Sequence, residues 1–275
     1  MAVLPLLFRS VLSLRKSKVS SFSLQCIKND EILKRHLITR LNYSTEILPE
    51  SKIDYRSEDE GVKELLNPIN HRDFFGVKNL VSVKDLFDAR VHYGHKEGSL
   101  DDRMRPFIYG TRLGHLIFDL DKTLDLLHQA LNIVANIAYR DGIILFISQS
   151  PQNSHLIETT AKECGEFAHT RVWRQGMFTN STMLFGAITR LPDLVIVLNT
   201  LTTVLEEHRG VVESSKMLIP TVGIVDTNCN PNLITYPIPG NDDTPCAIRL
   251  YCRLFKEAIL KGKEHRKKVL SEINN

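Results

Sequence analysis

The stretch that most constrains this chain is IPTVGIVDTNCNPNLITYPIPGNDDTP, from Ile219 to Pro245. Its opening, Val222-Gly223-Ile224-Val225, is an apolar, largely β-branched run of the kind that fills a strand covered on both faces of a parallel sheet. Asp226 ends the strand with a polar group, and a long connection follows that contains Asn228, Pro231, Pro237, Pro239, Gly240, Asn241 and Asp242. Prolines fix φ and Gly or Asn permit positive φ, so this connection is shaped rather than slack. It closes in Thr244-Pro245, an N-cap followed by proline at the first helical position. In open α/β sheets, ligands and partners gather outside the carboxyl ends of the strands. The loop is therefore a candidate binding surface, or else a rigid corner that happens to be long.

The rest of the chain fits such a sheet. Leu120, Leu124, Leu127, Leu131, Val134 and Ala138 step by four and three, which predicts an amphipathic helix. Asp141-Gly142 stops it, and Ile143 to Ile147 reads as a buried strand. A helix over 153–164 ends at Gly165, and a third strand is expected from His169 to Trp173. GMFTNSTMLFGAITRLPD leads through a short helix to a strand over Leu194–Leu198. A helix over 204–217, the strand Thr221–Val225 and a last helix from Thr244 to about Lys261 complete the series. Upstream, Ser82 opens a short helix with Asp85 in a capping box, and Gly94 is placed to end it. Phe107–Tyr109 and Leu116–Phe118 read as strands around a turn at 110–114. Alternation of strand and helix over 120–262 predicts an α/β, Rossmann-like, doubly wound parallel sheet with helices on both faces.

Composition separates the amino terminus from this body. The first 29 residues hold Arg9, Arg15, Lys16, Lys18 and Lys28, six serines and no acidic residue. Leu4, Leu7, Phe8 and Val11 share one helical face, and the whole has the pattern of an organelle transit peptide, read here as a mitochondrial presequence in preference to an untargeted disordered tail. The expected organisation is a transit segment within 1–40, an extended arm over 41–78, the α/β domain over 79–262 and a basic tail over 263–275. Phe74-Phe75 would anchor the arm, and the late charges of KGKEHRKK suit a solvated helix end. The chain has 35 Lys and Arg against 32 Asp and Glu; without the five basic residues of the first 29, 30 face 32 and the body is close to neutral. Bulk electrostatic attraction to nucleic acid is thereby excluded, so any RNA contact must use local patches. No apolar run approaches the ~20 residues of a membrane span. Five cysteines without C-x-x-C spacing exclude a disulfide framework or zinc ribbon.

An α/β sheet invites a search for catalysis. The turn Ser148-Gln149-Ser150-Pro151-Gln152 has no glycine, so a dinucleotide pyrophosphate could not approach the backbone there. Neither G-x-x-x-x-G-K-[ST] nor G-x-S-x-G occurs. His92 and His95 raise the question of a metal, but no third ligand stands near them in sequence. Asp226 with Asp242 and Asp243 could hold a metal or act as an acid–base pair, yet aspartate in a turn routinely accepts backbone N–H bonds, and capping is the preferred reading. Cys229 reads as a small polarizable filler, and Trp173, between Arg171 and Arg174, as either a stacking platform or a packed indole. No catalytic residue, metal or cofactor is assigned. An enzyme binding a nucleotide or sugar phosphate at the loop after Val225 remains the alternative.

Several motifs together resemble the ribosomal protein S2 family of the small ribosomal subunit, in its mitochondrial branch: ARVHYGHK at 89–96, RPFIYGTR at 105–112, DLDKT at 119–123, GMFTN at 176–180, LPDLVIVLN at 191–199, and the long stretch opening this section. They fall in the family's order across about 82–262. The resemblance implies a non-catalytic ribosomal component in the mitochondrion. Its partners would be small-subunit rRNA and neighbouring ribosomal proteins near the head–body junction, with no membrane span and no small-molecule substrate. Bacterial members carry a long helical hairpin between the T-N of GMFTN and LPD; here only Ser181 to Arg190 separate them, so a coiled coil that grips RNA is missing. Gln149 stands in the region where bacterial members usually carry a basic residue. Both departures predict less RNA contact and more protein contact. By position, the resemblance assigns RNA or ribosome contact to Arg90, His92, Tyr93, His95, Lys96, Arg103, Arg105, Arg112, Arg174, Thr179 and Asn180.

Overall fold

Apolar runs and amphipathic helices resolve, in a computed structural model that describes residues 68, 73–186, 189–203 and 206–273, into eight strands and six α-helices among the described residues. In chain order these are α1 (Val83–Asp88), β1 (Tyr93–Lys96), β2 (Ile108–Arg112), β3 (His115–Phe118), α2 (Leu120–Tyr139), β4 (Ile144–Ile147), α3 (Ser154–Cys164) and β5 (Phe167–His169). Then come α4 (Ser181–Phe185), β6 (Leu194–Val197), α5 (Arg209–Lys216), β7 (Thr221–Val225), β8 (Tyr236–Pro239) and α6 (Pro245–Ile273). The described residues belong to one compact unit, Glu60–Asn275. The transit segment and nearly all of the arm expected over 41–78 lie outside the described residues.

The main sheet is parallel throughout, in the order β5-β4-β6-β7-β8. Every residue of β6 and β7 is buried, as expected of strands covered on both faces. Alternation along the strands divides the core in two. Ile144, Phe146, Leu194, Ile196, Val222, Ile224 and Ile238 face α2, α3 and α6, where they meet Leu127, Leu131, Ile157, Leu254 and Phe255. Ile147, Val195, Val197 and Val225 face the other way, onto Met104, Phe118, Trp173, Phe178 and Val211. Each fully buried large side chain contributes roughly 1.5–3 kcal/mol relative to exposure. The doubly wound α/β fold is thus present, with α2, α3 and α6 on one face and α5 with the small sheet's side chains on the other.

The helix signals act as expected at several ends. Ser82 accepts from the Asp85 amide while Asp85 accepts from the Ser82 amide, a complete capping box for α1. Asp119 caps α2, and Gly165 in the left-handed region ends α3. Phe75 is buried with Tyr139 and His265 rings beside it.

Other expectations are corrected. The helix α1 stops at Asp88, turned by Arg90 at φ 60, and Gly94 lies inside β1 instead of ending a helix. β1 joins β3 and β2 in an antiparallel sheet of order β1-β3-β2. The β2–β3 turn is the pair Leu113 (φ 52) and Gly114 (φ 77), the double positive φ that matches strand twist in a two-residue hairpin. β5 occupies Phe167–His169 rather than 169–173, because Trp173 is drawn into the core beside Phe178. α5 begins at Arg209; residues 204 and 205 of the helix expected there lie outside the described residues. The connection after Asp226 contains a strand, β8, whose Pro237 and Pro239 are tolerated because it is the sheet's edge. Finally, α6 runs on to Ile273 because its basic residues find partners. Lys263 pairs with Glu166 (2.5 Å) and donates to the Cys164 carbonyl (2.7 Å), and Arg266 pairs with Asp141 (2.6 Å).

Candidate nucleic-acid interface

Two stretches far apart in sequence, ARVHYGHK and the loop after β7, fold onto one another at the carboxyl end of the sheet. The Asn241 amide donates to the Val91 carbonyl (3.1 Å), and its side-chain amide donates to the Arg90 carbonyl (3.4 Å). Thr227 accepts from the His95 amide through its hydroxyl (3.0 Å) and from the Asp101 amide through its carbonyl (2.9 Å). Gly94 is required here by close approach: a Cβ at that position would stand 2.5 Å from the Thr227 methyl. The loop itself is rigid. Asn241 accepts from the Asp243 and Thr244 amides, Asn228 accepts weakly from the Cys229 thiol (3.3 Å), and the Gly240 amide donates to the Val225 carbonyl (3.0 Å).

On this platform lies a groove of about 950 Å3 whose lining includes Phe87, Arg90, Tyr93, Tyr109, Arg112 and Thr244. Tyr93 is 48% exposed and Tyr109 83%. Exposed aromatic faces interleaved with guanidinium groups can stack unpaired bases and neutralise phosphates. Tyr109, missed from sequence, sits within the quoted FIYGTR motif, where an aromatic residue in a short exposed strand was the available signal. His92 also lines the groove but is only 8% exposed; its ring stacks on Phe87 at 4.5 Å between centroids and lies 4.2 Å from that of Tyr93, so it supports both aromatic neighbours. Burial also holds its pKa below the usual histidine value.

The other assigned residues distribute as follows. Lys96 is exposed at the end of β1. Arg103 and Arg105 are exposed on the helical turn Asp102–Phe107, and Arg105 pairs with Asp102 at 2.8 Å, an exposed pair of small worth. They flank Met104, which shares a buried cluster with Trp173 and Phe178. Arg174, Thr179 and Asn180 are exposed beyond that cluster. Trp173 itself is packed by His169, Phe178 and His208, which settles its two readings in favour of the core. The loop 174–180 is held by Glu213, whose buried carboxylate accepts from the Gly176 (2.7 Å) and Phe178 (3.0 Å) amides. Nothing in the sequence around Glu213 marks it out.

His95 does not face the groove as a free donor. Its Nδ1 lies 3.1 Å from Asp226 and its Nε2 3.5 Å from Asp243. The Asp226 hydrogen bond, over the opposing cost of burial, lifts its pKa to about 9. Asp226 also accepts from the Thr227 amide (2.5 Å), as the capping reading required. Cys229 is buried against the Thr200 hydroxyl, and burial pushes its thiol up to about 12.

Where the strand order reverses, between β4 and β6, ligands of open α/β sheets usually sit. That crevice is laced internally. The Ser148 hydroxyl donates to Asn199 (2.7 Å), and the Asn199 amide donates to the Asp242 carbonyl (3.2 Å).

A family model described as Ribosomal protein S2 matches residues 86–194 and 184–262. The chain belongs to the ribosomal protein S2 family. The two matched segments overlap at 184–194. "Small ribosomal subunit protein uS2m" of Bos taurus is 54% identical over 214 residues, 78% of this chain and 73% of that one. The uS2 proteins of Rickettsia bellii (strain OSU 85-389) and Rickettsia akari are 35% and 34% identical over 228 residues, 67% of this chain and 77% and 76% of theirs. Within the family the chain falls in the mitochondrial branch, and its location is the mitochondrion. Among the described residues, no helix of this family member is long and apolar enough to cross a membrane.

Proposed function

We propose that this chain is a structural, non-catalytic constituent of the mitochondrial small ribosomal subunit, which binds small-subunit rRNA through the rim of its β1–β3 sheet and neighbouring proteins through its remaining faces. The observation that carries the RNA half is the convergence of Arg90, Tyr93, Tyr109 and Arg112 on one groove, with cations and aromatic faces alternating. The near-neutral body makes such a local patch necessary, since overall charge supplies little attraction. Arg103, Arg105, Lys96, Arg174, Thr179 and Asn180 extend the contact as individually modest phosphate or ribose donors. Exposed Val172, Met183, Phe185 and Leu218 supply apolar material for protein neighbours in place of the missing hairpin. On this reading the contacts lie near the junction of head and body.

Ultraviolet cross-linking of assembled mitochondrial small subunits tests the RNA half. Peptides linked to rRNA should fall within 90–112. Links confined to other parts of the chain, with the Tyr93 and Tyr109 peptides free, would remove the groove from the interface.

A further inference from the structure

Three features of the β2–β3 hairpin serve neither the core nor the support of the groove. Leu113, at its tip, is 94% exposed and holds φ 52 in a two-residue turn where Asn or Gly would be relaxed. Exposure and backbone strain both disfavour leucine there, and nothing in the folded chain offsets either cost. Tyr109 is the extra residue of a β-bulge: Ile108 lies opposite Phe118 and Gly110 opposite Ile117, with Tyr109 between them facing no residue of β3. A bulge re-aims a side chain out of the ladder, and Tyr109 stands largely exposed. Beside it, a Cβ on Gly110 would meet nothing within 4 Å, so packing does not demand glycine. The bare backbone instead lets a flat ring approach closely.

All three line the groove of about 950 Å3, together with Arg90, Arg112 and Tyr93. No Asp or Glu is among the described residues of that lining, which suits a polyanion. A base paired within a helix hides both faces in the stack and cannot reach an upstanding tyrosine, whereas an unpaired base offers a free face. Apolar side chains inserted between bases part the stack. We infer that the groove takes an unpaired segment of RNA, with bases on Tyr93 and Tyr109 and with Leu113 wedged between two neighbours at the hairpin tip. This rests on the proposal that the rim of the β1–β3 sheet faces rRNA; it adds the class of RNA and a residue that selects it. The His92 ring braces Tyr93 for such a stack. The exposure of Leu113 is relieved only when RNA covers it.

Fluorescence anisotropy of two labelled RNAs with the full chain, one a mixed-sequence single strand and the other its perfect duplex, tests this. Wild type should bind the single strand more tightly by roughly tenfold. Leu113→Asn suits the left-handed backbone, so it should melt at a higher temperature than wild type. The same variant should nonetheless bind the single strand roughly tenfold more weakly, because the apolar insertion is lost. Its salt dependence should be unchanged, whereas Arg112→Gln, which removes a phosphate contact, should lower the salt slope by about 1. Leu113→Met keeps an apolar wedge and should recover most of the affinity. A Leu113→Asn chain that binds as wild type does would overturn the wedge and leave the RNA interface in place. Equal affinity for the duplex would overturn the choice of unpaired RNA. A wild-type chain that binds neither RNA would remove the interface itself, and the wedge with it.

Discussion

Gly262 of α6 lies so close to Ala135 of α2 that a Cβ added there would stand 2.4 Å from the Ala135 carbonyl oxygen and 3.1 Å from the Ala138 Cβ. The obstruction is backbone, which cannot swing away as a flexible side chain can. Gly262→Ala should therefore push the helices apart and cost about 1–3 kcal/mol, despite alanine's better helix propensity. Urea unfolding monitored by circular dichroism reads it, and an unchanged or raised midpoint would mean that the crossing is looser than described.

Glu213 ties the loop bearing Arg174, Thr179 and Asn180 to α5 through two amides. Glu213→Ala leaves the buried Phe178 amide and the part-buried Gly176 amide without acceptors, which should cost roughly 1–3 kcal/mol. Hydrogen exchange would show the loss locally, as faster exchange at Gly176 and Phe178. Glu213→Gln keeps an acceptor oxygen and should lose less. Equal losses in the two variants would place the effect elsewhere.

Lys263 meets the buried Glu166 carboxylate, which also accepts from the Ile144 amide (3.0 Å) at the start of β4. Lys263→Met keeps the aliphatic stem and deletes the charge. It should destabilise by about 1–3 kcal/mol, because Glu166 is left without its cation. A tail that was merely solvated would give a neutral substitution in thermal unfolding.

His208 is fully buried and uses Nδ1 to accept from the Gly210 amide at the start of α5, so the fold requires the neutral ring. Burial, and secondarily the charge of His169, lower its pKa to about 4. The unfolded chain takes up this proton near pH 6.5 and the folded chain does not. Stability should accordingly fall by about 2–3 kcal/mol as pH drops from 6.5 to 4. Denaturant midpoints at pH 7, 5.5 and 4.5 measure the slope. His208→Asn retains an N-cap acceptor without a titratable ring and should flatten it; an equally steep slope in that variant would assign the acid sensitivity to other groups.

How much of this was legible depended on whether the signal was local. The Ser82–Asp85 box, the period of α2 and the apolar runs of β4, β6 and β7 are short-range features, and each appears within a residue or two of its expected place. β8 was hidden because Tyr-Pro-Ile-Pro reads as a turn until its edge position, set by the whole sheet, makes proline acceptable. The end of α6 was hidden because Glu166 and Asp141, which hold Lys263 and Arg266, lie far away in sequence. The same holds for the site. Arg90, Tyr93 and Arg112 were marked by motif, whereas the burial of His92 and the capture of His95 by Asp226 arise only when β1 docks on Thr227.

This fold offers its rims to a ribosomal subunit, while hydrogen bonds from Ser148 to Asn199 and from Asn199 to Asp242 bridge its switch-point crevice. Sucrose-gradient sedimentation of mitochondrial lysate at raised salt tests it most directly. The full chain should travel with the small ribosomal subunit and stay there when salt screens loose electrostatic association. Recovery only in the light fractions, at low salt as well as high, would contradict it.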